Sequence, residues 1–345
     1  MLMRMLILVL GVSVQLASAA DEIEEIPAAS ADEPLASAPS LQRAEVFLDR
    51  ASLDWTRRRQ CGTCHTNYVY MLARPTKTDS RSEAEREIRR FFENRVEHWG
   101  DAEPSAKPKW DAEVIATAVT LALNDAAIGS QPSSSSRRAF DRVWRLQRED
   151  GGFDWLKCGW PPYEHDDYFG AVFAALGVSA APSEYSRSAE AARGVERLKG
   201  YLRANSPPDL HHRLFLYWAS LGLDGLMTES DRADLLERIR GLQRADGGWS
   251  LASLGSWSRR DGSANPADAP SDGYATGLVV YLLRRSGVER NDPTVARGRR
   301  WLERNQRESG RWYTRSLNND KAHYIANAGT AYALMALRAC ADGGE

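Results

Sequence analysis

One pattern, Q-x3-G-x-aromatic, occurs three times in the chain. Its copies run from Gln147 to Phe153, from Gln243 to Trp249 and from Gln306 to Trp312. Each copy follows a stretch with charged residues on one helical face and precedes a stretch that is apolar almost all round. A repeated unit constrains the architecture, because each unit can bury its apolar face only against its neighbours.

The alternation of amphipathic and apolar segments extends over most of the chain. The amphipathic segments that lead into the three repeats are 136–147, 229–243 and 292–305, and three further pairs are 41–55 with 65–74, 81–98 with 111–124, and 188–204 with 210–223. Six amphipathic outer helices around six apolar inner helices are typical of an all-α barrel. The sequence therefore predicts a single α/α toroid of six helical hairpins over residues 41–342.

The first 40 residues have a different character. Residues 1–19 combine an arginine, a short apolar run and the small residues Ala17 and Ala19, which predicts a secretory signal peptide and export to the periplasm or the outside of the cell. Residues 20–40 predict a flexible acidic leader. A net charge of −2 argues against nucleic acid as a partner. No later run predicts an integral membrane span, and association with a membrane surface stays open.

The repeat resembles the QW motif of squalene-hopene and oxidosqualene cyclases, which belong with the prenyltransferases to one group of α/α toroids. The likeness is best over residues 136–340. It implies that Gln147, Gln243 and Gln306 connect helix ends and have a structural role. The cyclases carry two barrels, whereas this chain has the length for one.

The segment Pro161–Asp167 is comparable with the acidic DxDD motif of the hopene cyclases, in which an aspartic acid protonates an alkene. Matched by position, Glu164 stands for the first aspartate, Asp166 for the proton donor and Asp167 for its neighbour. Tyr168 and Phe169 stand where the family has Thr-Ala. The segment equally resembles the Pro-Pro-x-Glu repeat of the cyclases' other barrel, so a capping or partner-binding role is the alternative to catalysis.

A second local motif, Cys61-Gly-Thr-Cys64-His65, resembles the haem attachment site of c-type cytochromes. Two thiols on one turn can bond the two haem vinyl groups while the adjacent histidine ligates iron. Its position is notable because Gln60 ends an outer helix as the other repeats do, yet the Gly and aromatic of the repeat are missing. Candidates for a second ligand are His211, His212 and His323. The alternatives are a zinc-type site of Cys61, Cys64 and His65, with His211 and His323 as further candidate metal ligands, or a plain Cys61–Cys64 disulfide.

In a toroid the inner helices begin at one mouth of the ring, and many polar residues fall at those positions. Asp111 and Asp272 are expected N-caps there, and Cys158 and Cys340 are either a disulfide or buried thiols. Aromatic residues on the inner helices predict a cavity lining that stabilises cations, or plain core. The predicted cavity residues are Tyr68, Tyr168, Phe169, Tyr217, Trp218, Asp272, Tyr274 and Tyr324.

Three functions remain open from the sequence. The first is a terpenoid-cyclase-like isomerase or lyase that acts on, or binds, an apolar polyprenyl or triterpene-type ligand. The second is a redox protein that carries c-type haem on a toroid scaffold. The third is a non-catalytic or zinc-dependent binding module, because a fold alone does not fix a function.

Overall fold

The computed structural model describes residues 26–75, 80–100, 109–129, 131–181, 188–266 and 268–341. Within these ranges the chain forms twelve α-helices and no strands, only isolated bridges. The helices are α1 (Leu41–Arg59), α2 (Asn67–Ala73), α3 (Glu83–His98), α4 (Lys109–Ala127), α5 (Ser134–Leu146), α6 (Asp167–Ala180), α7 (Ala189–Ala204), α8 (Leu210–Ser220), α9 (Glu229–Gly241), α10 (Gly273–Arg285), α11 (Pro293–Asn305) and α12 (Ile325–Ala341). The predicted signal peptide lies outside the described residues.

The helices form an α/α toroid of six hairpins, as the sequence predicted. The even-numbered helices contact one another in chain order, and α12 returns to contact α2, which closes the inner ring. Burial separates the two layers. Inner helix α8 buries every residue except Arg213, whereas outer helix α9 buries only Leu235 and Ile239.

The glutamines of the repeat connect neighbouring outer helices. The Gln243 amide donates to the carbonyl of Gly247 in its own turn (2.9 Å) and to that of Thr294 at the start of α11 (2.9 Å). Gln147 makes the same pair of bonds, to Gly151 and to Gly194 of α7. These contacts confirm the structural role that the family resemblance implies.

The glycine and the aromatic residue of each repeat complete the turn. Gly247 has a φ of 94°, and a Cβ there would lie 2.8 Å from the Arg297 carbonyl oxygen, so the close approach to α11 requires glycine. The Trp249 indole is fully buried and donates to the Ile239 carbonyl at 2.8 Å. The turn is thus bonded to the helix before it and packed against the helix after it.

Residues 26–40, which belong to the predicted flexible leader, lie along the last repeat. Glu33 accepts from Arg311 at 2.6 Å, and Ala36 donates to the Gln306 carbonyl at 2.8 Å. The Arg311 side chain is buried, and this ion pair gives its charge a partner. This part of the leader is therefore attached to the toroid. Among the described residues, no helix is long and apolar enough to cross a membrane.

Replacing Trp249 with alanine is expected to lower the free energy of unfolding by about 3–5 kcal/mol, because the indole is fully buried and bonded to the preceding helix. Urea denaturation monitored by circular dichroism measures it. The matched control is Trp160→Ala, since that side chain is 43% exposed, and its cost should be within about 0.5 kcal/mol. Equal losses in the two variants would contradict the role given to the repeat.

Candidate functional site

The Cys61–His65 segment joins α1 to α2 at the mouth of the ring. Gln60 is left-handed (φ 52°), and its amide donates to the Arg57 carbonyl of its own helix at 3.0 Å, not to a neighbouring outer helix. The first hairpin therefore lacks the glutamine connection of the other repeats. Cys61 and Cys64 are half-buried free thiols.

Asn67 holds this turn in place of the missing connection. Its side-chain oxygen accepts from the Thr63 backbone at 2.8 Å, and its amide donates to the Cys61 carbonyl at 3.0 Å and to the Thr56 hydroxyl at 3.2 Å. The side chain is fully buried. The spacing of both thiols is thus held by a residue that the sequence analysis did not single out.

His65 is held between two aromatic residues. Its ring meets Trp55 edge-on, with centroids 4.9 Å apart, and stacks on Tyr324 at 5.4 Å. Nδ1 lies 2.8 Å from the Thr66 hydroxyl, which also accepts from Asn327 at 3.0 Å. Burial lowers the pKa of His65 to about 4, so the imidazole is neutral at physiological pH.

Trp55 and Tyr324 also line a cavity of about 270 Å³ at the surface of the ring, between the end of α1, the start of α12 and residues 26–29. Three arginines, Arg58, Arg59 and Arg311, contribute to its wall, as do Asp54 and His323. A cavity of this size lies just below the usual range of cofactor and ligand sites, which is ~300–1,000 Å³. Arg58 pairs with Asp54 and Arg311 with Glu33, each at 2.6 Å, so the wall carries charges of both signs.

A second cavity lies in the interior of the ring and is almost wholly apolar. Its volume is about 10 Å³, about the space of one water molecule, and Cys64 contributes to its lining. The lining consists of Cys64, Tyr68, Val69, Leu72, Tyr163, Phe169, Phe173 and Tyr332. The hydroxyls of Tyr163 and Tyr332 lie 3.2 Å apart, so they hydrogen-bond to each other in an otherwise apolar lining.

The predicted cavity residues divide between several places. Tyr68 and Phe169 line the interior cavity, and Tyr324 lines the arginine-rich one. Of the rest, Tyr274 packs behind Tyr332 at 4.9 Å, Tyr168 faces His212 at 5.8 Å, Trp218 packs on Phe215 and Tyr281, and Tyr217 is buried. Fewer of the aromatic residues therefore line a cavity than the sequence predicted.

The acidic segment places its three carboxyl groups in three different settings. Asp167 accepts from Arg148 (2.9 Å) and Lys157 (3.0 Å). Asp166 caps α6 by accepting from the Phe169 backbone at 3.0 Å. Burial raises the pKa of Glu164 above its ordinary value, although a contact with the Cys158 thiol opposes the shift.

His212 lies between two of the carboxylates at the mouth. Its Nδ1 is 2.6 Å from Asp209 Oδ1 and its Nε2 is 3.2 Å from Asp166 Oδ2. Burial alone would lower the pKa of His212, but the two carboxylates outweigh it and raise the pKa to about 9. Burial likewise would raise the pKa of Asp166, and the contact with His212 instead holds it below its usual value. At neutral pH the pair is an ion pair.

His211, the adjacent residue, points into the aromatic interior instead. Its Nε2 lies 2.8 Å from the Tyr274 hydroxyl, and its ring packs against Phe215 at 4.9 Å. Burial lowers its pKa to about 3. The two histidines thus have opposite protonation states, although their ring centroids are only 5.8 Å apart.

The metal set expected from the sequence, His65, His211 and His323, is not brought together. His323 has a φ of 44° and accepts from the Ser316 backbone at 3.1 Å, beside Tyr313. Among the described residues, the side chains that place three potential ligand atoms within 4.8 Å of one another are those of Asp209, His211 and His212. Asp209 was missed, and only its place before an apolar helix could have marked it.

The remaining polar positions at the mouth have structural roles. Asp272 caps α10 by accepting from Ala275 at 2.9 Å, as predicted, and its other oxygen accepts from Leu251 at 2.5 Å. Burial raises its pKa to about 7. Asp111, which was also expected to be an N-cap, instead lies inside the first turn of α4 and is fully buried. Cys158 is exposed, Cys340 is buried, and both are free thiols, so the structure does not contain the disulfide left open between them.

The raised pKa of His212 links its ionisation to stability. A folded-state pKa of about 9, against ~6.5 when unfolded, means that the stabilisation is complete below pH ~6.5 and is lost as the pH rises through 9. We expect the difference in unfolding free energy between the wild type and His212→Gln to shrink by roughly 1–3 kcal/mol between pH 6.5 and 9.5. Urea titrations at several pH values measure it. A difference that does not change with pH would show that His212 is uncharged in the folded protein.

Comparisons with known proteins support the fold. No family model and no curated protein matches the chain. Among solved structures, an alanine variant of the type II terpene cyclase MstE from Scytonema, in complex with its product merosterolic acid A, is similar over 87% of this chain and 96% of its own, with a TM-score of 0.52 and 16% identity. This chain therefore has the α/α toroid fold of a terpene cyclase.

Proposed function

We propose that the protein is a terpenoid-cyclase-like enzyme that takes an apolar isoprenoid segment into the interior of the toroid and activates it by proton transfer. The observation that carries the proposal is the combination of an aromatic interior cavity with a half-buried carboxyl group, Glu164, that lies near Cys64 of its lining. The fold shared with a type II terpene cyclase supports it.

The interior suits a ligand that is apolar and passes through cationic states. Tyr68, Phe169 and Tyr332 present ring surfaces to the cavity, and aromatic faces attract a cation by ~0.5–2 kcal/mol each. The cavity has a volume of about 10 Å³, about the space of one water molecule, so an isoprenoid segment enters only when the lining rings move apart. A short segment needs the smaller movement, which favours it over the triterpene considered from the sequence.

Among the three acidic residues of the segment, Glu164 suits the role of the acid better than Asp166. Proton donation to an alkene requires a carboxyl group that keeps its proton, which burial promotes at Glu164. Asp166 instead accepts from a backbone amide and faces the charged His212, and both contacts favour the carboxylate. Burial raises the pKa of the Cys64 thiol, and the nearby Glu164 raises it further, which places Glu164 close to a residue of the cavity lining.

The experiment offers geraniol, farnesol and squalene in turn to the purified full-length protein, and measures retained ligand and cyclised product by gas chromatography with mass spectrometry. We expect retention to fall as the chain lengthens from geraniol to squalene, because the cavity is small. Retention of squalene alone, or of no isoprenoid, would contradict the proposed substrate class.

The role of Glu164 is tested with Glu164→Gln, which we expect to keep ligand binding and to lower turnover by ~100–10,000-fold, the usual contribution of a general acid. The matched control is Glu149→Gln, because Glu149 is exposed on a loop outside the cavity. If Asp166→Asn abolished turnover while Glu164→Gln did not, the acid would be Asp166 and not Glu164.

A second candidate function is electron transfer by covalent haem, and the Cys61–His65 segment favours it. Both thiols are free and half-buried, and His65 has one nitrogen engaged by Thr66, as metal-bound histidines commonly do. His65 also contacts Trp55 and Tyr324 in the wall of the larger cavity, but neither thiol lines that cavity, and two of its three arginines already pair with Asp54 and Glu33. The donor set of two thiols and an imidazole is that of a c-type haem, which would supply a one-electron couple, whereas the space beside it would hold the group only after the turn rearranged.

This candidate includes export, because c-type haem is attached outside the cytoplasm. The full chain is produced in bacteria with a periplasmic haem maturation system, and the mature protein is analysed by mass spectrometry and by its pyridine haemochrome spectrum. We expect a chain that lacks about 19 residues and carries one haem, and no haem in Cys61→Ser/Cys64→Ser. Cys158→Ser is the matched control and should keep it. A mature chain without haem would exclude this function.

A further inference from the structure

We propose that Asp209, His211 and His212 form a binding site for a divalent transition-metal ion. Each residue contributes one ligand atom, and the three atoms lie within 4.8 Å of one another. Both histidines are fully buried and Asp209 is half-buried. Two imidazoles with one carboxylate are a donor set typical of Zn²⁺ and of non-haem Fe²⁺. This site is independent of the proton transfer assigned to Glu164.

An unpartnered nitrogen atom at the site gives a second, separate indication. His211 Nδ1 is buried and makes no hydrogen bond in the structure. A buried polar atom without a partner is unfavourable by ~1–3 kcal/mol, so such atoms point to a missing ligand. The other nitrogen of His211 contacts the Tyr274 hydroxyl at 2.8 Å, which fixes the ring while the unpartnered nitrogen remains able to bind a metal.

The start of α8 explains how adjacent histidines can share one ion. Side chains at neighbouring positions of a helix point about 100° apart, which argued from sequence against joint ligation. Asp209 precedes the helix as its N-cap, and its carboxylate accepts from the His212 backbone at 2.9 Å. The carboxylate thereby lies over the first turn and supplies a ligand between the two rings.

Asp166 takes a supporting place in this site. Its Oδ2 lies 3.2 Å from His212 Nε2, so it holds the ring when His212 binds the metal through its other nitrogen. Three protein ligands leave one coordination position for water or a small ligand, and the His211 ring already reaches Phe169 of the interior cavity at 5.8 Å.

The test uses the full-length protein, stripped of metal, with Zn²⁺ in titration calorimetry and Co²⁺ in visible spectroscopy. We expect one ion per chain and a tetrahedral Co²⁺ spectrum. His211→Gln keeps a hydrogen-bonding group for Tyr274, and Asp209→Asn keeps an N-cap, so both should fold while binding Zn²⁺ more than 100-fold more weakly. Asp166→Asn should weaken binding by about 10–100-fold.

Two controls distinguish this site from others. His98→Gln, on an exposed histidine at the end of α3, and Cys61→Ser/Cys64→Ser should both keep the wild-type affinity. Melting curves in a chelator establish that each variant is folded before titration. Unchanged affinity in folded His211→Gln, loss of binding in the cysteine variant, or no stoichiometric binding by the wild type would each overturn the proposal. None of these outcomes bears on ligand retention or on Glu164.

Discussion

Closure of the ring by one glutamine is the constraint on which the rest of the structure depends. The Gln306 side chain accepts from the Ser40 backbone at 2.6 Å and donates to its carbonyl at 2.8 Å, so the last repeat is bonded to the residue that caps α1. The inner helices are apolar on nearly every side and can be buried only if α12 meets α2. A side chain 266 positions from its partner thus keeps the first and last hairpins together.

The fold was predictable because the sequence repeats one local pattern along the chain. The predicted segments 188–204 and 292–305 differ by one residue from Ala189–Ala204 and Pro293–Asn305. For the outer helix of the first hairpin the sequence predicted two different ends, near residue 55 from the segment and at Gln60 from the repeat, and α1 agrees with the second because it continues to Arg59 with Gln60 as its C-cap. Three arginines in its last turn favour that extension by interacting with the helix dipole. The role of Asn67 could not be predicted from the repeated pattern, because its hydrogen-bond partners lie in one irregular turn.

The candidate site was predictable only in part, because its chemistry depends on pairs that are distant in sequence. The motif singled out Asp166 as an acid, but His212, 46 positions later, decides that this group is a carboxylate. Burial raises the pKa of Glu164, and its contact with the Cys158 thiol opposes that shift only in part. Neither contact can be predicted from the spacing of residues in the sequence. Similarly, His211 and His212 are adjacent in sequence, and only the packing of α8 gives them opposite charge states.

The mouth of the toroid acquires its chemistry from the way its inner helices begin. Three successive inner helices, α6, α8 and α10, each begin at an aspartate whose carboxylate caps the helix. These aspartates are Asp166, Asp209 and Asp272. An N-cap hydrogen bond uses only part of the capacity of a carboxylate to accept hydrogen bonds, so the carboxylate can also bind a neighbouring polar group. At Asp272 this is a backbone amide of the preceding turn, and the result is a rigid joint. At Asp166 and Asp209 it is an imidazole, and a structural cap thereby becomes part of a titratable, metal-binding centre.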